Sequence, residues 1–196
     1  MKNIVGQNMI AVDRGLEMLY ELNIVPNHVV GDFDSVSTPI LQFYQKNPKI
    51  VFHKYNPEKD YTDTDIALKL AIELNSSTIT IMGAIGKRMD HALANIHILK
   101  EALEIGIPCE ILDSYNKIYL VKENTQLVKD KTYGKYISFL PLTTTVKGIT
   151  LKGFQYPLNN ASLSVGLSLG ISNKIVEDMA TIELKEGILI VIESKD

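Results

Sequence analysis

Regular alternation of short apolar strands with helices over the first part of the chain is the feature that most restricts its fold. Up to about residue 113, each predicted strand is followed by a helical pattern. Such alternation is typical of a parallel sheet covered by helices on both faces, so we predict an α/β domain over residues 1–114. The predicted strands are Asn8–Val12, Asn27–Gly31, Ile50–His53, Thr78–Met82 and Cys109–Leu112, and the predicted helices are Leu16–Asn23, Pro39–Gln45, Asp65–Leu74 and Asp90–Glu104.

A different pattern begins at about Ser114 and contains no helical period of useful length. The run Ala161–Ser172 alternates large apolar residues with small ones, which predicts a strand with one buried face. Further strands are predicted at Ile118–Val121, Tyr136–Leu140 and Ile188–Ile192. We therefore predict a small all-β sandwich or barrel domain over residues 115–196.

Composition narrows the possible partners and the compartment. The 196 residues carry a formal net charge of −3, which gives no long-range attraction to nucleic acid or to an anionic membrane surface. The single cysteine, Cys109, cannot form an internal disulfide, and this fits a reducing compartment. The sequence shows neither an apolar run of membrane-spanning length nor a signal-peptide pattern, so we expect a cytoplasmic protein.

Two aspartates, Asp32 and Asp34, directly follow a predicted strand. If the backbone stays extended, residues two apart point the same way, and both carboxylates would face one ion. The carboxyl end of a parallel strand is also where open α/β sheets bind ligands. The alternative is a turn rich in aspartate and serine, and for this pair taken alone the turn is favoured.

Two further polar groups also follow predicted strands. Asp60, Asp63 and Asp65 lie before and at the start of a predicted helix, which Asp63 or Thr64 could cap. A role at the helix N-terminus fits Asp63 or Asp65 but would explain only one of the three aspartates. The third group comprises Gly83, Gly86, Arg88, Asp90 and His91. Its glycines allow backbone N–H groups to approach an anion, and its arginine offers a planar fork for phosphate oxygens. The alternative is an ordinary strand-to-helix turn with a capping aspartate.

The three groups are expected to meet along one edge of one sheet, because all of them follow strands of the alternating half. Crowded carboxylates repel one another and favour a bound cation or proton. Mg²⁺ held by one or two carboxylates normally shares its other positions with water and phosphate. The pattern therefore indicates phosphoryl chemistry, in which one carboxylate, not specified by the sequence, accepts a proton.

In this order and spacing the motifs resemble thiamine pyrophosphokinases of the bacterial type. The resemblance rests on Gly31-Asp32-Phe33-Asp34-Ser35, on Lys59-Asp60 with Thr62-Asp63, and on Gly83, Gly86, Arg88 and Asp90-His91. Asp13-Arg14-Gly15 resembles the family's first acidic and glycine-containing turn. In the second half, Tyr156-Pro157-Leu158, Leu163-Ser164 and Ser172-Asn173 resemble the thiamine-binding β domain.

The resemblance implies a Rossmann-like catalytic domain that transfers a diphosphate from ATP to the hydroxyl of thiamine and releases AMP. It also implies Mg²⁺ and a homodimer with thiamine near the junction of two subunits. The implied catalytic and metal-binding residues are Asp32, Asp34, Asp63 and Asp90. The implied ATP contacts are Lys59, Asp60, Thr62, Gly83, Gly86 and Arg88, and the implied thiamine contacts are Tyr156, Ser172 and Asn173.

The sequence departs from the family pattern at two places. About a dozen residues precede Asp13, fewer than the strand and loop that the family usually has there. Some relatives carry tryptophan where Tyr156 stands, although tyrosine can also stack on a cationic ring.

Two other functions remain open from the residues alone. One is a metal-dependent phosphohydrolase or a nucleotide-sugar transferase that uses the Asp32/Asp34 pair. The other is a non-catalytic dimer that binds thiamine through its β domain.

Overall fold

Three short parallel strands form the centre of the first of two units. The computed structural model describes residues 8–55 and 61–196, and the chain divides into the two units between Ser76 and Ser77. The strands lie in the order β1 (Ile10–Val12), β2 (His28–Gly31) and β3 (Val51–Lys54). Both strand pairs are parallel, as the alternating sequence predicts.

Helices cover both faces of this small sheet. Leu16 of α1 (Gly15–Glu21) and Tyr44 of α2 (Thr38–Gln45) pack in one cluster with Val29. Ile66 of α3 (Asp63–Glu73) packs in a separate cluster with Val30. Neighbouring residues of a strand point to opposite faces, so β2 is buried on both sides and its apolar run is continuous.

A five-stranded mixed sheet organises the second unit, in the order β4-β5-β6-β12-β8. Its strands are β4 (Ile79–Met82), β5 (Cys109–Leu112), β6 (Asn116–Val121), β8 (Tyr136–Pro141) and β12 (Leu189–Ser194). Only β4 and β5 are parallel, joined through α4 (Met89–Glu104), and every other pair is antiparallel. The prediction of one parallel sheet for the whole first half is therefore wrong: β1–β3 and β4–β5 belong to different sheets.

A tight turn between β5 and β6 ends the parallel part of this second sheet. The Asp113 carboxylate oxygen Oδ1 accepts hydrogen bonds from the backbone N–H of Tyr115, at 2.7 Å, and of Asn116, at 2.6 Å. Burial alone would raise the pKa of Asp113, but these donors hold it below its ordinary value. A connection this short reverses the chain, so β6 must run antiparallel to β5.

A second, four-stranded antiparallel sheet packs on this one and produces the predicted sandwich. Its order is β10-β9-β11-β7, with strands β7 (Thr125–Val128), β9 (Thr145–Lys152), β10 (Leu158–Ser164) and β11 (Met179–Glu183). A short 3₁₀ helix, Lys129–Lys131, follows β7. Phe139 of β8 meets Phe154 edge to face in the core between the sheets, with ring centroids 5.4 Å apart.

Strand β12 separates two hydrophobic cores. Leu189 and Val191 point into the core between the sheets, whereas Ile190 and Ile192 pack in the core that contains Leu99 of α4. This arrangement explains why Leu189–Ile192 is apolar at every position instead of alternating.

The predicted strand Ala161–Ser172 is wrong in its second half. Strand β10 ends at Ser164, and the backbone then turns at Gly166, which has φ 93°. The N–H of Leu167 donates to the carbonyl of Ser164 within this turn. The alternating apolar residues Val165, Leu167, Leu169 and Ile171, called here the apolar loop, are 66, 53, 60 and 42% exposed.

None of the helices in the described ranges is long and apolar enough to cross a membrane.

Candidate active site

The loops that follow β1 and β2 bring one carboxylate against a glycine. A Cβ atom at Gly31 would lie 2.0 Å from Oδ1 of Asp13, so only glycine leaves room for this carboxylate. Gly31 also has φ 145°, which favours glycine. Asp13 itself is left-handed, with φ 44°, and its N–H donates to the carbonyl of Val30. The sequence analysis singled out Asp13 only because Asp13-Arg14-Gly15 resembles a turn of the family. The structure shows that the Asp13 carboxylate lies against Gly31, next to Asp32 in the chain.

Asp32 and Asp34 lie on a turn rather than on extended backbone. Phe33 between them has φ 69°, and the Asp34 N–H donates to Oδ1 of Asp32 over 3.0 Å. The argument that both carboxylates face one way because the strand continues is therefore wrong, and the turn interpretation is confirmed. Phe33 is 9% exposed and meets Phe52 edge to face, which holds the turn against the core.

The start of α3 differs from the sequence-based expectation in its cap. Thr62 is the N-cap, and its hydroxyl oxygen accepts a hydrogen bond from the Asp65 N–H over 3.3 Å. Asp65 forms an ion pair with Lys69 at 2.9 Å. Thr62 and Asp65 therefore both make contacts within α3 that stabilise the helix. Asp63 occupies the first helical turn. Lys59 and Asp60 lie outside the described residues.

The segment after β4 is stabilised from within α4. Gly83 has φ 73°, and the carbonyl of Ala84 accepts a hydrogen bond from Nδ2 of Asn95 over 2.8 Å. Asn95 is only 5% exposed and was missed by the sequence analysis. The helical period could have revealed it, because Asn95 is a polar residue on the apolar stripe that Ala92, Leu99 and Ala102 form along α4.

Arg88 and Asp90 form an exposed ion pair at the start of α4. The guanidinium nitrogen Nε of Arg88 donates to Oδ1 of Asp90 over 3.2 Å, and its terminal nitrogen donates to Oδ2. These bonds lower the pKa of Asp90 and raise that of Arg88. Exposed pairs contribute little stability, so a phosphate group can replace Asp90 as the partner of Arg88 at small cost.

The three residues suggested for thiamine lie together in the second unit. Tyr156 is 59% exposed, and Ser172 is also exposed with a left-handed φ of 58°. Asn173 is buried and bonds through its side chain to the backbone of Tyr156. The sequence foresaw this grouping only through the family resemblance, because sixteen positions separate Tyr156 from Ser172.

In the ranges 8–55 and 61–196, no three histidine, cysteine or acidic side chains are grouped so that they would hold a metal ion. Asp32, Asp34 and Asp63, which share the first unit, thus form no preformed three-carboxylate cluster. Their donor chemistry still suits Mg²⁺, a hard cation usually held by one or two carboxylates together with phosphate oxygens. Asp34 is exposed, and Asp32 uses only Oδ1 in its turn.

Comparison with known proteins identifies the family. The model for the catalytic domain of thiamin pyrophosphokinase matches residues 5–111, and the model for its vitamin B1 binding domain matches residues 123–189. This chain belongs to the thiamin pyrophosphokinase family. The resemblance drawn from the acidic motifs is thereby confirmed.

Relatives of the family agree over nearly the whole chain. The thiamine pyrophosphokinase of Bacillus subtilis is 36% identical over 95% of this chain and 87% of its own length. Its crystal structure superimposes with a TM-score of 0.88 over the same shares of the two chains. The thiamin pyrophosphokinase structure from Geobacillus thermodenitrificans is 34% identical, with a TM-score of 0.84 over 95% of this chain and 86% of the other.

The close contact between Gly31 and the Asp13 carboxylate predicts that glycine is required at position 31. Gly31→Ala places a methyl group against the Asp13 carboxylate in an unfavourable backbone region, so we expect a loss of about 1–3 kcal/mol in the free energy of unfolding. Urea denaturation measures this loss.

Gly15→Ala is the matched control for stability. Gly15 begins α1, and a methyl group at this position would meet no atom within 4 Å, so the change should be neutral or stabilising by up to about 1 kcal/mol. Equal stability of the two variants would contradict the requirement for glycine at position 31.

Proposed function

We propose how the residues of this chain divide the work of the reaction that it catalyses, the ATP-dependent formation of thiamine diphosphate. The observation that carries the proposal is the order of the two family matches, the catalytic domain at 5–111 and the vitamin B1 binding domain at 123–189. The acidic motifs fall within the first match and the group around Asn173 within the second.

The residues proposed to contact ATP lie in the glycine-containing segment after β4 and in the segment that precedes α3, and the catalytic-domain match at 5–111 includes both. Gly83 and Gly86 expose backbone to solvent, and Arg88 presents an exposed guanidinium at the start of a helix. Backbone N–H groups at a helix start and a guanidinium both favour phosphate oxygens. Lys59, Asp60 and Thr62 are proposed as further ATP contacts, although the hydroxyl of Thr62 already caps α3.

Asp32, Asp34, Asp63 and Asp90 are proposed as the catalytic and Mg²⁺-binding carboxylates. When bound, Mg²⁺ would offset negative charge on the phosphate oxygens. In this structure the Asp90 carboxylate is paired with Arg88. If Arg88 binds a phosphate group instead, the Asp90 carboxylate loses this partner and can bind Mg²⁺ or accept a proton.

The proposed chemical step is attack by the hydroxyl oxygen of thiamine on the β-phosphorus of ATP. A new oxygen–phosphorus bond forms, the bond from the β-phosphorus to the bridging oxygen of the α-phosphate breaks, and AMP leaves with that oxygen. One of the four carboxylates accepts the hydroxyl proton. Positioning and electrostatic stabilisation supply most of the catalysis in such transfers.

The proposed thiamine site is the exposed face formed by Tyr156 and Ser172. The ring of Tyr156 is 59% exposed and can stack on the cationic ring of thiamine. Ser172 offers a hydroxyl that can donate to a ring nitrogen. Asn173 is included in the site, and its contacts are analysed further below.

We assign catalysis to residues 1–114 and thiamine binding to residues 115–196. The two family matches support this division. The compact units instead divide between Ser76 and Ser77, because α4 and β5 pack against β6. We propose a cytoplasmic location because the single cysteine, Cys109, cannot form an internal disulfide. Burial raises the pKa of Cys109 to about 12, so its thiol stays protonated and unreactive.

A homodimer is proposed through the apolar loop. Its four apolar side chains are 42–66% exposed and close to Ser172 in sequence. Exposed apolar groups of this kind favour an interaction surface. A second copy covering the loop would bury them beside the proposed thiamine site. The comparisons give no support to a phosphohydrolase, a nucleotide-sugar transferase or a non-catalytic thiamine-binding dimer.

The acidic residues are tested by Asp34→Asn and Asp90→Asn. Each change removes a charged oxygen ligand at nearly constant shape, so kcat for thiamine-dependent AMP release should fall by about a hundredfold or more. Asp130→Asn in the exposed 3₁₀ helix is the control and should keep the wild-type rate. Wild-type rates in both site variants would remove these carboxylates from the mechanism.

The thiamine site is tested by Ser172→Ala. Loss of one hydrogen bond should raise KM for thiamine about three- to tenfold and leave KM for ATP unchanged. Steady-state kinetics with each substrate varied in turn gives the two constants. Ser162→Ala, at an exposed position of β10, is the control. An effect on ATP alone would exclude Ser172 from the thiamine site.

The dimer is tested by Leu169→Glu. A charge on the apolar loop should convert the dimer to monomer in sedimentation analysis, because burying an unpaired carboxylate is unfavourable. Ile105→Glu places the same charge on a 56% exposed residue at the end of α4 and should leave the dimer intact. A monomeric wild-type protein, or a variant that stays dimeric, would reject the loop as the interface.

A further inference from the structure

Asn173 is a buried residue whose side chain is occupied by the backbone of a neighbouring segment. It is 3% exposed, and its backbone exchanges two hydrogen bonds with Ile137 of β8. Its Oδ1 accepts from the N–H of Tyr156 at 3.0 Å and from the N–H of Lys174 at 2.9 Å. Its Nδ2 donates to the carbonyl of Tyr156 at 2.8 Å.

These contacts use most of the hydrogen-bonding capacity of the Asn173 side chain. An asparagine amide has two acceptor positions and two donor hydrogens. Both acceptor positions and one hydrogen are engaged within the protein. The Asn173 side chain holds both the N–H and the carbonyl of Tyr156, as a neighbouring strand would.

The side chain of Ser138 likewise holds the backbone of Ser172. It lies on β8, is 8% exposed, and its hydroxyl oxygen accepts from the N–H of Ser172 over 3.0 Å. Ser172 has φ 58°, a region that residues other than glycine enter at a cost. The hydrogen bond from Ser138 and the backbone pairing of Asn173 with Ile137 hold Ser172 in this conformation.

We propose that Asn173 and Ser138 are positioning residues of the thiamine site, which fix Tyr156 and Ser172 respectively before the substrate binds. Neither acts by direct contact with thiamine. The inference rests on the proposed thiamine site and assigns Asn173 a role different from the one implied by family resemblance.

Positioning of this kind affects binding more than chemistry. Two exposed groups held in one geometry lose little freedom when the ligand arrives, and this preorganisation strengthens binding. Loss of either holding contact should therefore raise KM for thiamine, while KM for ATP and kcat at saturating thiamine stay near their wild-type values.

Asn173→Asp is the informative variant. It keeps the shape and Oδ1 but replaces the Nδ2 donor by an oxygen that faces the carbonyl of Tyr156. We expect KM for thiamine to rise about tenfold at about pH 8, where the new carboxylate is ionised.

The split between KM and kcat separates positioning from general damage, which would lower kcat as well. Asn159→Asp makes the same chemical change at an exposed position of β10 and should match the wild type. A thiamine KM within twofold of wild type, or a comparable loss in kcat, would overturn the role of Asn173.

Hydrogen exchange supplies a readout that does not need activity. Asn173→Ala, which removes the acceptor Oδ1, should speed exchange of the Tyr156 amide, and Ser138→Ala should speed exchange of the Ser172 amide. Ser138→Ala also raises KM for thiamine and keeps the inference testable if Asn173→Asp fails to fold. Unchanged exchange in both variants rejects the inference, whereas absence of thiamine-dependent AMP from the wild type rejects the proposed function instead.

Discussion

Burial of β6 and β12 on both faces is the constraint around which the second unit is built. On one side Leu189 and Val191 meet the four-stranded sheet, and on the other Ile190 and Ile192 meet the core that contains Leu99 of α4. Removing apolar surface from water on both faces stabilises these strands more than a half-exposed strand. The same two strands therefore fix α4, which begins at the Arg88–Asp90 pair, and the sandwich, which carries Tyr156 and Ser172.

The candidate site residues occupy backbone conformations that cost energy. Asp13, Phe33 and Ser172 all have positive φ, and each such residue costs on the order of 1–3 kcal/mol unless its surroundings hold it. Phe33 is held by its buried ring and Ser172 by the Ser138 hydroxyl. Three of the six non-glycine residues with positive φ in the described ranges thus lie in the candidate site, and the other three are asparagines, which enter this region more readily.

Hydrogen bonds from side chains to backbone support each part of the proposed site. Thr62 caps α3, Asn95 holds the carbonyl of Ala84, and Asn173 holds Tyr156. Asn95 and Asn173 are buried and need hydrogen-bond partners, which they find in segments that carry proposed site residues. Loops placed in this way keep their geometry although they belong to no strand or helix.

The sequence alone determined the family and most of the secondary structure. The spacing of Asp32, Asp34, Asp63 and Asp90 indicated phosphoryl transfer and the family, because patterns of charged and glycine residues are local in the chain. The helical and strand periods were local too. The stretch after Ser164 was misread, because alternation without burial gives an exposed loop, and strands β7, β9 and β11 were not predicted.

Tertiary structure decided which strands pair and what the polar side chains contact. The sequence could not show that β5 turns back into β6, since the Asp113 turn was read as a domain boundary and pairing depends on non-local burial. Nor could it show that Asn173 faces Tyr156, because their contact joins segments that are adjacent only once β8 and the sandwich have formed. Periodicity along a chain determines what a segment can become, whereas packing between distant segments determines what each side chain touches.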